Sequence, residues 1–158
     1  MRSFVSVSDQ FKDGGVIVDN AIGFWVHRVY QASRNEMYRV FRAHGEDVTP
    51  EQWAVLIRLW ERDGQPQTEL SAATFRDAPT MSRIIDGLET RGLLTRKAHP
   101  DDGRVRVVHL TRAGKALEQR LVPLVEGIVE RMLAGIDQRT LTTTRNALRT
   151  MFANLAGD

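Results

Sequence analysis

The sequence predicts a mostly α-helical fold with one small β-hairpin. Apolar residues recur at three- and four-residue steps through most of the 158 residues. Caps and stop signals cut that periodicity into six helical segments. One stretch, HPDDGRVRVVHLTRAG at residues 99–114, breaks it with two extended arms around Asp102-Gly103. That pair suits a two-residue hairpin turn, because Gly103 can take a positive φ.

Residues 1–18 form an arm, with Gly14-Gly15 as a break. The first helix spans 19–44, where Ile22, Val26, Val29, Met37 and Val40 share a stripe. The second opens at TPEQ: Thr49 caps, Pro50 takes the first helical position and Gln52 closes a capping box. Gly64 and Pro66 stop it. A short third helix covers 67–75, and a fourth runs from Pro79 to Arg91 with Met81, Ile84, Ile85 and Leu88 inward. Gly92 ends it. Thr111 caps a fifth helix at 112–135, where Leu117, Leu121, Leu124, Ile128 and Met132 form a near-heptad stripe and Pro123 predicts a kink. Asp137 caps a sixth, with Leu141, Leu148, Met151, Phe152 and Leu155 inward. The short break at 135–137 predicts that the last two helices pack as antiparallel neighbours.

Charge is concentrated rather than abundant. The chain carries a net charge of only +2. Residues 91–115 hold seven cations (Arg91, Arg96, Lys97, Arg104, Arg106, Arg112 and Lys115) against Asp101 and Asp102, a local +5. The positive field is thus focused around the hairpin. With no cysteine, disulfides and thiolate metal sites are excluded, which fits a reducing cytoplasm. The N-terminus has no long apolar run of the kind a signal peptide or membrane span requires. His27, His44, His99 and His109 show no helical ligand spacing and no carboxylate cluster, so no metal is expected. No nucleophile–base pair or Gly-rich phosphate loop points to an enzyme.

Three short helices followed by a basic hairpin describe a winged helix-turn-helix. Such a lobe places one helix in a major groove and the ribbon at a neighbouring minor groove. At 100° per residue the outer face of the fourth helix carries Pro79, Arg83, Asp86 and Thr90, flanked by Thr80 and Ser82. Pro79, Thr80, Ser82 and Arg83 are therefore candidate DNA contacts, together with Arg76, Arg96, Lys97, His99, Arg104 and Arg106. Arg104 is the candidate minor-groove finger. Asp102 would aim it, since a carboxylate facing phosphate is repelled. Asp86 either pairs with Arg83 or accepts from a cytosine amine.

The stretch TELSAATFRDAPTMSRIIDGLETRGLLTRKAHPDDGRVRVVHLTRAG resembles the DNA-binding core of the MarR family of transcriptional regulators. Its strongest piece is Asp102-x-Arg104 followed by VVHLTRAG, and the element order over about residues 19–156 is similar too. The resemblance implies a homodimer on a palindromic DNA operator, with 19–46 and 113–158 as dimerisation helices around a DNA-binding lobe at 47–112. Ile22, Leu121, Leu124, Ile128, Met132, Leu148, Phe152 and Leu155 are the expected interface. The apolar stripes exceed what one small lobe covers. The resemblance also implies a small aromatic or anionic effector held between lobe and dimer helices. Trp25, Arg28, Tyr30, Arg34, Trp53 and Ile57 are candidates for that pocket, although an aromatic stripe at helical spacing is also what a plain core produces. The remaining alternative is a winged-helix interaction module that does not bind DNA, against which the basic hairpin argues.

Two departures from the family pattern stand out. Thr74-Phe75 stands where Leu-Gly is usual, which predicts a different turn with Phe75 packed inward and Arg76 near DNA. Gly87 stands where a basic residue is common, removing a phosphate contact.

Overall fold

The computed structural model describes residues 11–12, 15–16 and 18–156. Most of the predicted arm, with Gly14, lies outside the described residues. Within it Phe11–Lys12 (β1) pairs antiparallel with Gly15–Val16 (β2), ahead of a 3-10 turn at Val18–Asn20.

Six helices follow: α1 Ile22–Ala43, α2 Pro50–Glu61, α3 Gln67–Thr74, α4 Ala78–Thr90, α5 Arg112–Leu133 and α6 Gln138–Ala156. The predicted caps form. Thr49 and Gln52 close a reciprocal capping box, Thr111 Oγ1 accepts from the Gly114 N–H, and Asp137 Oδ1 accepts from the Thr140 N–H at 2.9 Å. Gly92 ends α4 at φ +68. Three strands, β3 Gln65–Pro66, β4 Leu94–Ala98 and β5 Arg106–Leu110, make an antiparallel sheet in the order β3-β5-β4. The core gathers Phe41, Leu56, Leu70, Met81, Ile85, Leu88, Val108 and Leu117 into one cluster. Val108 and Leu110 root the hairpin in it, and Val107 beside them is buried too.

The α5 stripe corrects the expected interface. Leu121 is fully buried and Ile128 nearly so, while Leu124 packs against the core. These three belong to the chain's own interior, because α5 lies against α1 of the same chain. The two helices are also tied by polar contacts. Glu36 binds Arg131 at 2.6 Å, and the Ser33 hydroxyl lies 3.5 Å from Met132 Sδ. Ile22, Met132, Leu148, Phe152 and Leu155 are exposed.

The sixth helix departs from expectation as well. No residue of α6 is buried, so the inward face predicted for it does not exist within one chain, and it does not pack along α5 as an antiparallel partner. Its one described ring contact is between Phe152 and Phe75, with centroids 5.1 Å apart.

Two turns also differ. The hairpin loop is longer than a two-residue turn. The His99 N–H donates to the Val105 carbonyl and the Val105 N–H to the Asp102 carbonyl, both at 2.9 Å. Gly103 and Arg104 are thus the central residues of a β-turn, and Gly103 does not adopt positive φ. The α3–α4 turn keeps the left-handed conformation that a glycine would adopt: Phe75 sits at φ 54, ψ 46, at a strain of about 1–2 kcal/mol. Phe75 is 72% exposed rather than packed inward.

Candidate nucleic-acid interface

Helix α4 is anchored by Met81, Ile85 and Leu88, which leaves its opposite face outward. Asp77 caps it, its Oδ1 accepting from the Thr80 N–H at 2.7 Å. That bond holds the Asp77 carboxyl below its ordinary range, with a further contribution from the Thr80 side chain. Pro79 and Arg83 are exposed, and Thr80 and Ser82 half-buried. The Arg83 guanidinium lies 3.4 Å from Thr80 Oγ1, so these two present one polar surface.

The wing tip holds Arg104 against Asp102, as its sequence suggested, although the turn itself is longer. Asp102 Oδ1 accepts from the Arg104 N–H at 3.0 Å and lies 3.3 Å from its Nε. A carboxylate two residues back thus holds both backbone and guanidinium. The Arg104 side chain is 95% exposed. Arg104 and Arg106 border a hollow of about 260 Å³ whose other wall is Gln67, Thr68 and Ser71 of α3 and Ala78 of α4. The α3 residues were missed in the sequence, where a short polar helix start has no charge to mark it. Lys97 is exposed on β4. The His99 Nδ1 accepts from the Asp101 N–H at 3.2 Å, so this histidine shapes the loop.

Arg96 is not a free phosphate ligand. Its Nε lies 3.0 Å and one terminal nitrogen 2.6 Å from Glu89 Oε2, and it also pairs with Asp86. The Arg96 N–H donates to Glu89 Oε1 at 3.0 Å. Hydrogen bonding to Glu89, opposed by burial, raises the Arg96 pKa, and Arg96 lowers that of Glu89. Asp86 therefore pairs with Arg96 rather than with Arg83. Lys115 is likewise held by Asp63, at 3.1 Å. The hairpin's field is weaker than its count of cations: Arg96 and Lys115 are neutralised and Arg104 is held by Asp102, while Arg91, Lys97, Arg106 and Arg112 have no ion pair among the described residues. Gly87 faces α2, where an added Cβ would lie 3.2 Å from Gln52 Nε2, so this position does not look toward DNA.

Asp63, Gln65 and Gly114 are structural residues the sequence did not reveal. Asp63 Oδ1 accepts from the Gly64 and Leu110 amides, fixing the end of β5 to the end of α2. Its carboxyl is lowered: burial would raise it, and the Leu110 amide and Lys115 outweigh that. Gln65, buried, donates its Nε2 to the Arg58 and Arg62 carbonyls and so closes α2. A Cβ on Gly114 would lie 2.1 Å from the Leu93 carbonyl oxygen.

A second concavity, of about 360 Å³, lies between α1, α2 and the α3–α4 turn. Tyr30, Arg34, Trp53 and Ile57 line it as expected. Trp25 and Arg28 do not: Arg28 sits over the rings of Phe24 and Trp25, 5.4 and 5.3 Å from their centroids. Arg34 is already balanced, its Nε 2.9 Å from Glu51 Oε1 and its pKa raised by that bond. Arg76 joins the lining as well, and beyond its backbone N–H bond to the Ser71 carbonyl it forms no hydrogen bond or ion pair with the described residues. Among the described residues no three His, Asp or Glu cluster as a metal site, and no helix is long and apolar enough to cross a membrane.

The MarR family model matches residues 48–106, which hold α2, α3, α4, β4 and the wing loop up to the start of β5. A solved structure of a probable transcriptional regulator from Pseudomonas aeruginosa is 33% identical, covers 85% of this chain and 98% of its own, and superposes with a TM-score of 0.76. The chain belongs to the MarR family. Its winged helix-turn-helix lobe makes it a DNA-binding transcription regulator. Among MarR-type relatives, the transcriptional repressor IacR of Pseudomonas putida is 25% identical over 132 residues, 84% of this chain and 78% of IacR. The structure of Bordetella bronchiseptica BpsR, whose DNA binding is regulated by 6-hydroxynicotinic acid, is 28% identical, covers 84% of this chain and 98% of its own, and has a TM-score of 0.71.

Proposed function

We propose that this MarR-family regulator is a cytoplasmic homodimeric repressor. It occupies a palindromic operator and leaves it when a small aromatic acid enters the cleft at Arg76. The observation that carries the DNA part is the exposed Arg104, aimed by Asp102 beside the starts of α3 and α4. Pro79, Thr80, Ser82 and Arg83 meet base edges and phosphates, while Lys97 and Arg106 meet the backbone. The homodimer is supported by Ile22, Met132, Leu148 and Phe152, all exposed apolar residues on α1, α5 and α6. The effector is supported by the chemistry of the cleft. Tyr30, Trp53 and Ile57 offer apolar and aromatic surface, and Arg76 offers a positive charge that no salt bridge among the described residues holds. A ligand that favours one dimer geometry shifts the population away from the bound form.

Fluorescence anisotropy tests both parts on one duplex selected by the protein. Affinity should fall with salt, each neutralised phosphate adding about −0.9 to the log–log slope. A panel of hydroxylated aromatic and nicotinic acids should then release the duplex. Arg76→Ala should keep duplex affinity and lose the release. Binding to no duplex contradicts the DNA reading; binding without release by any acid contradicts the effector reading.

A further inference from the structure

We propose that Phe75 and Phe152 are positioning residues for the recognition helix, their ring contact tying the C-terminal helix to the turn that sets where α4 begins. The proposal rests on the reading of α4 as a DNA-reading helix. Phe75 is the one non-glycine among the described residues with positive φ. L residues avoid that region, and such strain persists only where the surroundings impose it. A glycine would take φ 54 without strain, so the backbone of the turn does not call for a phenylalanine.

Burial does not call for one either, since the side chain is largely exposed. What the ring has is Phe152, 5.1 Å between centroids at an interplanar angle of 82°, an edge-to-face pair. Helix α6 buries none of its own residues, so this pair is a point of attachment rather than part of a packed layer. The attachment falls where small movements are amplified. The Phe75 and Arg76 amides donate to the Ala72 and Ser71 carbonyls, closing α3, and Asp77 then caps α4. A rotation at Phe75 therefore re-aims Thr80 and Arg83. Thr74 and Arg76, on either side of Phe75, line the cleft. The same turn is thus touched by α6 from one side and by the cleft from another.

The test compares Phe75→Gly, Phe152→Ala, the double variant and Phe152→Tyr, with all proteins in the same oligomeric state by sedimentation. Two readouts are taken: affinity for a selected duplex, and amide hydrogen exchange of residues 75–80 in the free protein. Each single variant should weaken duplex binding about three- to tenfold. For Phe75→Gly this loss should come without a fall in Tm, because glycine relieves the backbone. The double variant should lose no more than either single one, since both remove one contact. Phe152→Tyr should restore affinity, and exchange at 75–80 should quicken in all variants except that one. Wild-type affinity in Phe75→Gly, or losses that multiply in the double variant, overturns the proposal. So does unchanged exchange at 75–80. If the wild-type protein binds no duplex the DNA reading fails, whereas the exchange data still report whether the contact holds the turn.

Discussion

Arg96 lies against Glu89, its Nε 3.0 Å from Oε2 and its own N–H 3.0 Å from Oε1. One carboxylate thus grips both the backbone and the side chain of the same residue. Glu89 is on α4 and Arg96 on β4, so the pair locks the root of the wing to the recognition helix. The two parts that would enter neighbouring grooves are joined rigidly at this point.

Arg96→Ala should therefore weaken duplex binding while leaving its salt slope unchanged, because no phosphate contact is lost. It should also lower stability by about 1–3 kcal/mol, the usual cost of removing a partner from a charged hydrogen bond. Lys97→Ala and Arg106→Ala should instead leave stability intact and reduce the slope by about 0.9 each. Salt titration of the three variants separates the roles.

Arg104→Ala should cost about 1–3 kcal/mol of affinity for the selected duplex, with no change in Tm. Asp102→Ala should lose part of that affinity through Arg104, although it removes a negative charge from the interface. Stronger binding by Asp102→Ala would mean that Asp102 acts by repulsion rather than by aiming.

Gly114→Ala should destabilise the lobe by about 1–3 kcal/mol, as overpacking against backbone does. The Leu93 carbonyl cannot yield without pulling on β4. Thermal denaturation measures it. The exposed Gly103→Ala change, with nothing within 4 Å, is the control and should be near neutral.

Glu36 gives a pH signature. Its bond to Arg39 and then that to Arg131 outweigh desolvation and lower its pKa from 4.5 to about 2. A carboxyl depressed in the folded state contributes stability that is full above its unfolded pKa and is lost as pH falls through the folded one. The contribution should therefore fade between about pH 4.5 and pH 2. Glu36→Gln should lower Tm at pH 7 and approach the wild-type Tm toward pH 2.

The helix boundaries were legible because each is written locally. Thr49 with Gln52, Thr111, Asp137 and Gly92 act on amides or carbonyls within a few residues of themselves. The wing's Asp102–Arg104 contact was legible for the same reason. What failed were contacts between separate elements. Nothing in the sequence around Arg96 says that the chain folds back so that Glu89 and Asp86, seven and ten residues earlier on α4, pair with it, so a locally basic run overstated the field. Nor does a heptad stripe say which surface it meets, and Leu121 and Ile128 turned to their own α1. Phe75 was misjudged because an aromatic ring argued for burial, whereas the turn imposed the glycine conformation and left the ring outside.

Selection from random duplexes tests the central claim most directly. Two identical lobes related by a two-fold axis should enrich a palindrome with half-sites about one helical turn apart. Arg104→Ala should lose preference at the positions flanking each half-site, where a minor groove would receive the wing. Enrichment of no sequence, or of a single unrepeated half-site, would contradict the account of a dimer that reads DNA with α4 and the wing.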